Sequence, residues 1–318
     1  MKSLTSQVSP PASLPAIKPV IALVAPSAFL PDIESLDRAV AAMQAWGWDL
    51  RYDRAALIGR SERFAASDAE RIAALYAAAE DTEVNVVMAL RGGYGISRLL
   101  DDLDFARIAA GNKLWVGHSD FTAFQLALLQ HTGHASLAGP MAATDFGMEQ
   151  PSTFTLTHFR RWFEAAYDST SVPVAAGWTG EVAGLLWGGN LTMLAHLVGS
   201  PHCPQVSEGV LFIEDAGETP FRLERMLYQL WYAGILQSQR AIVFGQFGDY
   251  RLTDRDNGYD LHDVIAHWQD KLGIPVFSGL MHGHVADKLS LPVGGYASIK
   301  SDAEGYEMRY AFSPGALA

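Results

Sequence analysis

Short apolar runs alternate with stretches of helical spacing through the first half of the chain. VIALVAP (20–26) is a β-branched run closed by proline, and PDIESLDRAVAAMQAWG (31–47) carries apolar residues at helical spacing and ends in glycine. The pattern predicts a strand followed by a helix. WDLRYD, the helix-like SDAERIAALYAAAED, the run VNVVMAL (84–90) and then KLWVG (113–117) before FTAFQLALLQH extend the alternation. Strands that read as continuous apolar runs are those buried on both faces, with the intervening helices as crossovers. The first half is therefore expected to be an α/β unit built on a parallel sheet.

Between about 141 and 180 the alternation fails. MAATDFGMEQPS is loop-like, THFRRWFEAAY is one amphipathic helix, and DSTSVPVAAGWTG is turn-rich. This places the domain boundary there. The expected organisation is a loose tail over 1–18, an N-terminal domain over 19–145, a linker region over 146–180 and a C-terminal domain over 181–318. Beyond the boundary come GEVAGLLW, the helix-like NLTMLAHLVG, GVLFIED, FRLERMLYQLWYAG, RAIVFGQF, a helix over about 259–272, and short strands around KLSLPVG, YASIK and YEMRYAF. The second half reads as mixed α/β or α+β. No repeat recurs at a fixed period, which excludes solenoids.

Composition narrows the function classes. With 318 residues, 49% hydrophobic and 18% charged, the chain has a globular balance and length enough for two domains. One cysteine, Cys203, cannot pair within the chain, which fits a reducing compartment and makes the cytoplasm the expected location. A formal charge of −12 without a Lys/Arg run argues against a nucleic-acid partner. The first 18 residues hold three prolines and no apolar run of signal-peptide length. No stretch approaches the roughly 18 consecutive apolar residues of a membrane span, so a soluble protein without a membrane partner is expected.

Four segments are candidates for chemistry. In LWVGHSDFTAFQLALL an apolar strand runs through Gly117, His118, Ser119 and Asp120 straight into a helix. Such a turn exposes a serine at the carboxyl end of a sheet, with the next backbone N–H at the positive end of the helix. Phe121 replaces the last glycine of the usual G-x-S-x-G elbow, and a plain helix cap at Ser119 or Asp120 is the alternative. Arg91, Gly92, Gly93, Tyr94 and Gly95 follow the run 84–90, and glycines there let backbone N–H groups approach a ligand, or simply make a turn. In GVLFIEDAGE, Asp215 and Glu218 read as helix caps. Glu214 continues the apolar run, where an unpaired carboxylate is costly and a partner is required. Finally, His282 and His284 flank Gly283. A metal site of His282, His284 and Asp287 is one reading, but no H-E-x-x-H spacing or nearby cysteine supports it, and a single catalytic histidine is the better use. Ser119, an acid at 214 and a histidine near 284 make a nucleophile triad for acyl transfer, in which histidine deprotonates the serine and the carboxylate fixes the imidazole tautomer.

The segments SERFAASDAERI, ALRGGYGISRLLDDLDF, GHSDFTAFQ, SLAGPM, LLWGGNLTML, LFIEDAGETPFRLERMLYQLWYAGIL and SGLMHGHVADKLSLPVG, spread from about Ala22 to Gly294, resemble the cytoplasmic LD-carboxypeptidases (muramoyltetrapeptide carboxypeptidases). The resemblance implies a serine peptidase cleaving between an L-centre and terminal D-alanine, with an N-terminal nucleophile domain, a C-terminal domain bearing acid and base, and the active site between them. It places the nucleophile on Ser119, the glutamate on Glu214 and the histidine on His284, preferred over His282 because its G-H dipeptide resembles the family pattern. It implies oxyanion donors at the N–H groups of Asp120 and of Gly92 or Gly93. Arg91, Tyr94 and Asn190 are candidate substrate contacts, with loop pairing, packing over the glycines and helix capping as their respective structural alternatives. Trp187 is a candidate wall of the site or a core residue, and Cys203 has no assigned chemistry. The implied substrate is a muramoyl tetrapeptide of peptidoglycan recycling, with no cofactor and no metal, and two copies of the chain as a pairing. The other readings are a related hydrolase giving self-immunity to peptide-nucleotide antibiotics and a muropeptide-binding protein without turnover.

Overall fold

The structure is a computed structural model that describes residues 18–174 and 176–317; the expected tail, apart from Lys18, lies outside them. In the first half, β1 (Val20–Val24), α1 (Glu34–Ala45), β2 (Asp49–Arg51), α2 (Arg54–Leu57), α3 (Asp68–Glu80), β3 (Val86–Ala89), α4 (Phe105–Ala110), β4 (Leu114–Gly117), α5 (Phe121–Thr132) and β5 (Ser136–Ala138) follow one another. Then come α6 (Thr153–Arg161), β6 (Tyr167–Val172), β7 (Gly180–Asn190), α7 (Leu191–Leu197), β8 (Val210–Ala216), α8 (Pro220–Tyr232), β9 (Ala241–Gly248) and α9 (Leu261–Leu272). β10 (Val276–Phe277), β11 (Leu291–Val293), β12 (Gly295–Ser301) and β13 (Tyr306–Ala311) complete the chain.

Among the described residues these strands form two sheets, ordered β11-β5-β4-β3-β1-β2 and β10-β9-β8-β7-β12-β13-β6. The pairings from β5 to β2 are parallel. β3 and β4 are buried at every position, as continuous apolar runs require when helices cover both faces. The second sheet is parallel from β10 to β7 and antiparallel from β12 to β6, so the mixed character expected from the sequence is present.

The expected linker over 146–180 needs correction. It contains α6, and its turn-rich stretch supplies β6, the edge of the second sheet against β13. Polar composition disguised it: Asp168 is buried in this strand, where His158 and Arg161 pair with its carboxylate and satisfy it. β11 from the second half joins the first sheet, with Leu291 opposite Ala138. The second half thus closes one edge of the first sheet across the seam between them.

Helix α5 lies in that seam. Phe121 to Leu129 are buried at every position, because α5 packs on its own sheet and also on β7 and α7. A helix apolar all round has no solvent face. The residues leading into α5 are consequently fixed where the two sheets face each other.

Candidate active site

Gly117 ends β4, and Ser119 takes a left-handed backbone conformation, with φ of +64°. For a residue with a side chain this costs roughly 1–2 kcal/mol, strain of the kind that presents a nucleophile at a sharp strand-to-helix turn. Asp120 begins α5 yet makes no side-chain cap. Its buried carboxylate instead accepts from the Ser27 hydroxyl at 2.7 Å and from the Ile96 N–H at 3.1 Å. Burial raises the Asp120 pKa against the lowering effect of those two hydrogen bonds. The residue after the serine therefore ties the loop following β3 to the elbow.

That loop touches the serine itself. A Cβ on Gly92 would lie 2.8 Å from Ser119 Cβ and 2.9 Å from Ser119 Oγ, so glycine is required there for the loop to rest against the serine. The buried Arg71 guanidinium donates to the carbonyls of Pro26 and Gly95 and pairs with Asp68, fixing the far end of the same loop.

The acid sits at an irregularity in the second sheet. The β8–β9 register pairs Ile213 with Phe244 but Asp215 with Phe247, so Glu214 faces two residues, Gly245 and Gln246. A bulge of this kind re-aims the side chains beside it and frees backbone groups from the ladder. The freed Gln246 N–H donates to the His282 carbonyl at 2.8 Å. Gly283, with φ of +140°, lies so close that a Cβ would come within 2.8 Å of the Gln246 carbonyl oxygen and 3.1 Å of Glu214. The bulge and this glycine seat the loop of the histidine directly over the acid.

The result is a continuous chain across the seam. His284 Nε2 is 2.9 Å from Ser119 Oγ, and His284 Nδ1 is 2.7 Å from Glu214 Oε2. Only one tautomer satisfies both contacts with the serine as donor: Nδ1 carries the proton toward Glu214, and Nε2 accepts from the hydroxyl. Burial lowers the His284 pKa, but the hydrogen bond it donates to Glu214 and the charge of that carboxylate outweigh this and raise it above the ordinary 6.5. Glu214 is 1% exposed, and its Oε1 has no hydrogen-bond partner among the described residues. A neutral neighbour completes the surroundings. His118, whose pKa burial drives well below 6.5, stands edge-on to His284 at 5.4 Å between centroids and bonds the Gly139 carbonyl.

The remaining candidates fall in other places. His282 points away from the serine, with Nδ1 on the Leu289 carbonyl at 2.9 Å and its ring edge-on to Phe212. Asp287 pairs with the Ser152 hydroxyl, so His282, His284 and Asp287 diverge instead of converging on one point. Asn190 uses both ends of its amide in the fold: Oδ1 accepts the Met193 N–H as the cap of α7, and Nδ2 donates to Asp215 at 3.1 Å. Asp215 takes the Thr192 N–H and hydroxyl as well, securing the start of α7 instead of the following helix. Glu218 pairs with Arg222 one turn on. Trp187 is buried against Gln239, and Tyr94 is 40% exposed with its ring tilted on Phe64. Burial pushes the Cys203 thiol up to about 11, which makes it a poor nucleophile.

Three features escaped the sequence reading. A cavity of ≈ 330 Å³ beside His284 is lined by His118, Thr144, Asp145, Gln150 and Lys288 among others. Lys288 and Asp145 form a buried ion pair in its wall. His118 also lies there. Of these only His118, inside the elbow motif, carried any local signal; Asp145 and Lys288 are 143 residues apart, and nothing in their neighbourhoods announces the pairing.

Comparison with known proteins agrees with this architecture. The family model of the LD-carboxypeptidase N-terminal domain matches residues 21–139, and that of the LD-carboxypeptidase C-terminal domain matches 183–299. A putative carboxypeptidase of Streptomyces coelicolor is 34% identical over 89% of this chain and 90% of its own length. The murein tetrapeptide carboxypeptidase of Pseudomonas aeruginosa is 29% identical over 96% of this chain and 100% of its own. Among solved structures, the muramoyltetrapeptide carboxypeptidase of Oxalobacter formigenes superposes with a TM-score of 0.87 at 44% identity, covering 93% of this chain and 99% of that one. The microcin C7 self immunity protein MccF superposes with a TM-score of 0.84 at 22% identity, over 95% of this chain and 100% of that one, a likeness of fold. With both domains matched in order, the chain belongs to the LD-carboxypeptidase family.

Proposed function

We propose that the protein is a serine LD-carboxypeptidase that releases terminal D-alanine from muramoyl tetrapeptides in the cytoplasm, as part of peptidoglycan recycling. The observation that carries this reading is the unbroken chain Ser119 Oγ, His284, Glu214, with contacts of 2.9 and 2.7 Å. Ser119 Oγ attacks the carbonyl preceding D-alanine while its proton passes to His284 Nε2. The N–H groups of Asp120 and of Gly92 or Gly93 receive the oxyanion. Collapse of the tetrahedral intermediate breaks the C–N bond, and His284 returns the proton to the departing amine. Water then attacks the acyl-enzyme, His284 takes its proton, and the serine is restored. Glu214 holds the Nδ1 proton throughout and stabilises the imidazolium. Support for the substrate comes from the relatives named for murein tetrapeptide and muramoyltetrapeptide.

Presenting the purified protein with L-Ala-γ-D-Glu-diaminopimelate-D-Ala and, separately, with the pentapeptide ending in D-Ala-D-Ala tests the bond chosen. Release of D-alanine from the tetrapeptide alone is expected. Release from the pentapeptide alone would contradict an LD specificity.

A further inference from the structure

A carboxypeptidase of this kind acts on a peptide rich in carboxylates, and the cation beside His284 does not stand free: Lys288 is already paired with Asp145. One cavity further on, a cation without an ion pair among the described residues is present. The cavity beside His284 and a second of ≈ 570 Å³ share Thr144, Met148 and Gln150 as walls, so the two spaces adjoin. Arg91 lines that second space.

Arg91 shares one neighbour, Phe29, with two further arginines. Phe29 accepts from Arg91 Nη1 at 2.8 Å through its carbonyl, donates its N–H to the Arg63 carbonyl at 3.1 Å, and lies with its ring 4.6 Å beneath the Arg60 guanidinium. Elsewhere in the same half, Arg38, Arg51, Arg54 and Arg107 each close an ion pair with a carboxylate. None is recorded among the described residues for Arg60, Arg63 or Arg91. Arg91 is half-buried, and its pKa is lowered by burial and by the like charge of Arg63. The acids on the cavity wall do not neutralise it, since Asp32 is held by Arg38 and Glu149 is exposed at the rim. In a chain of net charge −12, a half-buried guanidinium facing another cation is a place where an arriving carboxylate relieves repulsion and gains a forked hydrogen bond. It is also joined to the catalytic loop: Arg91 Nη2 is 3.5 Å from where a Cβ on Gly93 would stand.

We propose that Arg91 binds a carboxylate of the peptide substrate in the space adjoining the cavity beside His284, with Arg63 and Arg60 as nearby like charges. This rests on the carboxypeptidase reading above and adds the residue that selects the substrate. The carboxylate has three sources in the tetrapeptide: terminal D-alanine, the side chain of diaminopimelate and the α-carboxyl of D-glutamate. Three analogues separate them, with D-alaninamide at the terminus, lysine in place of diaminopimelate and D-isoglutamine in place of D-glutamate.

Binding of the tetrapeptide and the analogues to Ser119→Ala protein, measured by calorimetry, provides the test, with Arg91→Gln and Arg63→Gln each added to that background. One analogue is expected to bind Ser119→Ala protein roughly ten- to a hundredfold more weakly than the parent, and Arg91→Gln should bring parent and analogue level. Arg63→Gln should narrow the same gap in part, and because it leaves the Arg91 contact with Phe29 intact it separates recognition from damage to the fold. Unchanged discrimination among all the analogues in Arg91→Gln protein that melts normally would overturn the proposal. Failure of the wild type to release D-alanine is read separately by turnover and would overturn the carboxypeptidase reading instead.

Discussion

The two sides of the proposed active site are built in different ways. On the Ser119 side β4, a left-handed serine and α5 are contiguous, and Asp120 reaches Ile96 and Ser27 from within the same half. On the acid–base side nothing is local. Glu214 faces a bulge in β9, the bulge holds the His282 carbonyl, and Gly283 brings His284 over the carboxylate. One side is a strained turn held by its own sheet. The other is an assembly of two loops and a strand that fails if any part shifts.

The largest effect should come from the first side. Ser119→Ala removes the proposed nucleophile and should lower turnover by on the order of 10⁴ or more, with thermal stability little changed, since the elbow is set by backbone geometry. Next come the two glycines, one on each side. Gly92→Ala would place a methyl group 2.8 Å from Ser119 Cβ, and loss of a well-placed oxyanion donor should reduce kcat by about 10²–10³. Gly283→Ala meets both crowding and a φ of +140°, so it should lower kcat by about 10² through displacement of His284 and also lower stability by roughly 1–3 kcal/mol in denaturant titration. Equal stability losses in both variants would erase the contrast between the two sides.

Two smaller effects sharpen it. His282→Ala leaves the Leu289 carbonyl without its imidazole partner and should cost roughly 1–3 kcal/mol of stability while turnover stays within about tenfold of wild type. A loss like that of His284→Ala would give His282 a role in the chemistry. The pH profile reports the pairing of His284 with Glu214. The base must be neutral, so kcat/KM should rise with pH through the His284 pKa, which Glu214 holds above 6.5. In Glu214→Gln the charge is gone and burial dominates, so the acidic limb should move to lower pH as the plateau falls. A limb that stays in place would detach Glu214 from the histidine.

The same contrast explains what the sequence disclosed. Strand, serine and helix in LWVGHSDFTAFQ are a local pattern, and the apolar burial of β3 and β4 is written in their composition. Glu214 was legible because a carboxylate at the end of VLFI demands a partner. The β-bulge was not legible, since a one-residue shift of register leaves no mark on the apolar pattern of RAIVFGQF. Nor were the edge strand β6 and the crossing of β11 into the first sheet, because DSTSVPV is polar and LPV is short, and both earn strand geometry only from their neighbours. The choice between His282 and His284 rested on resemblance; three-dimensional placement separates them through hydrogen bonds that involve Leu289, Glu214 and Ser119.

The most direct measurement is mass spectrometry of a muramoyl tetrapeptide incubated in parallel with the wild-type protein, with Ser119→Ala and with His284→Ala. The account predicts free D-alanine from the wild type alone. D-alanine at wild-type rates from Ser119→Ala protein would contradict it.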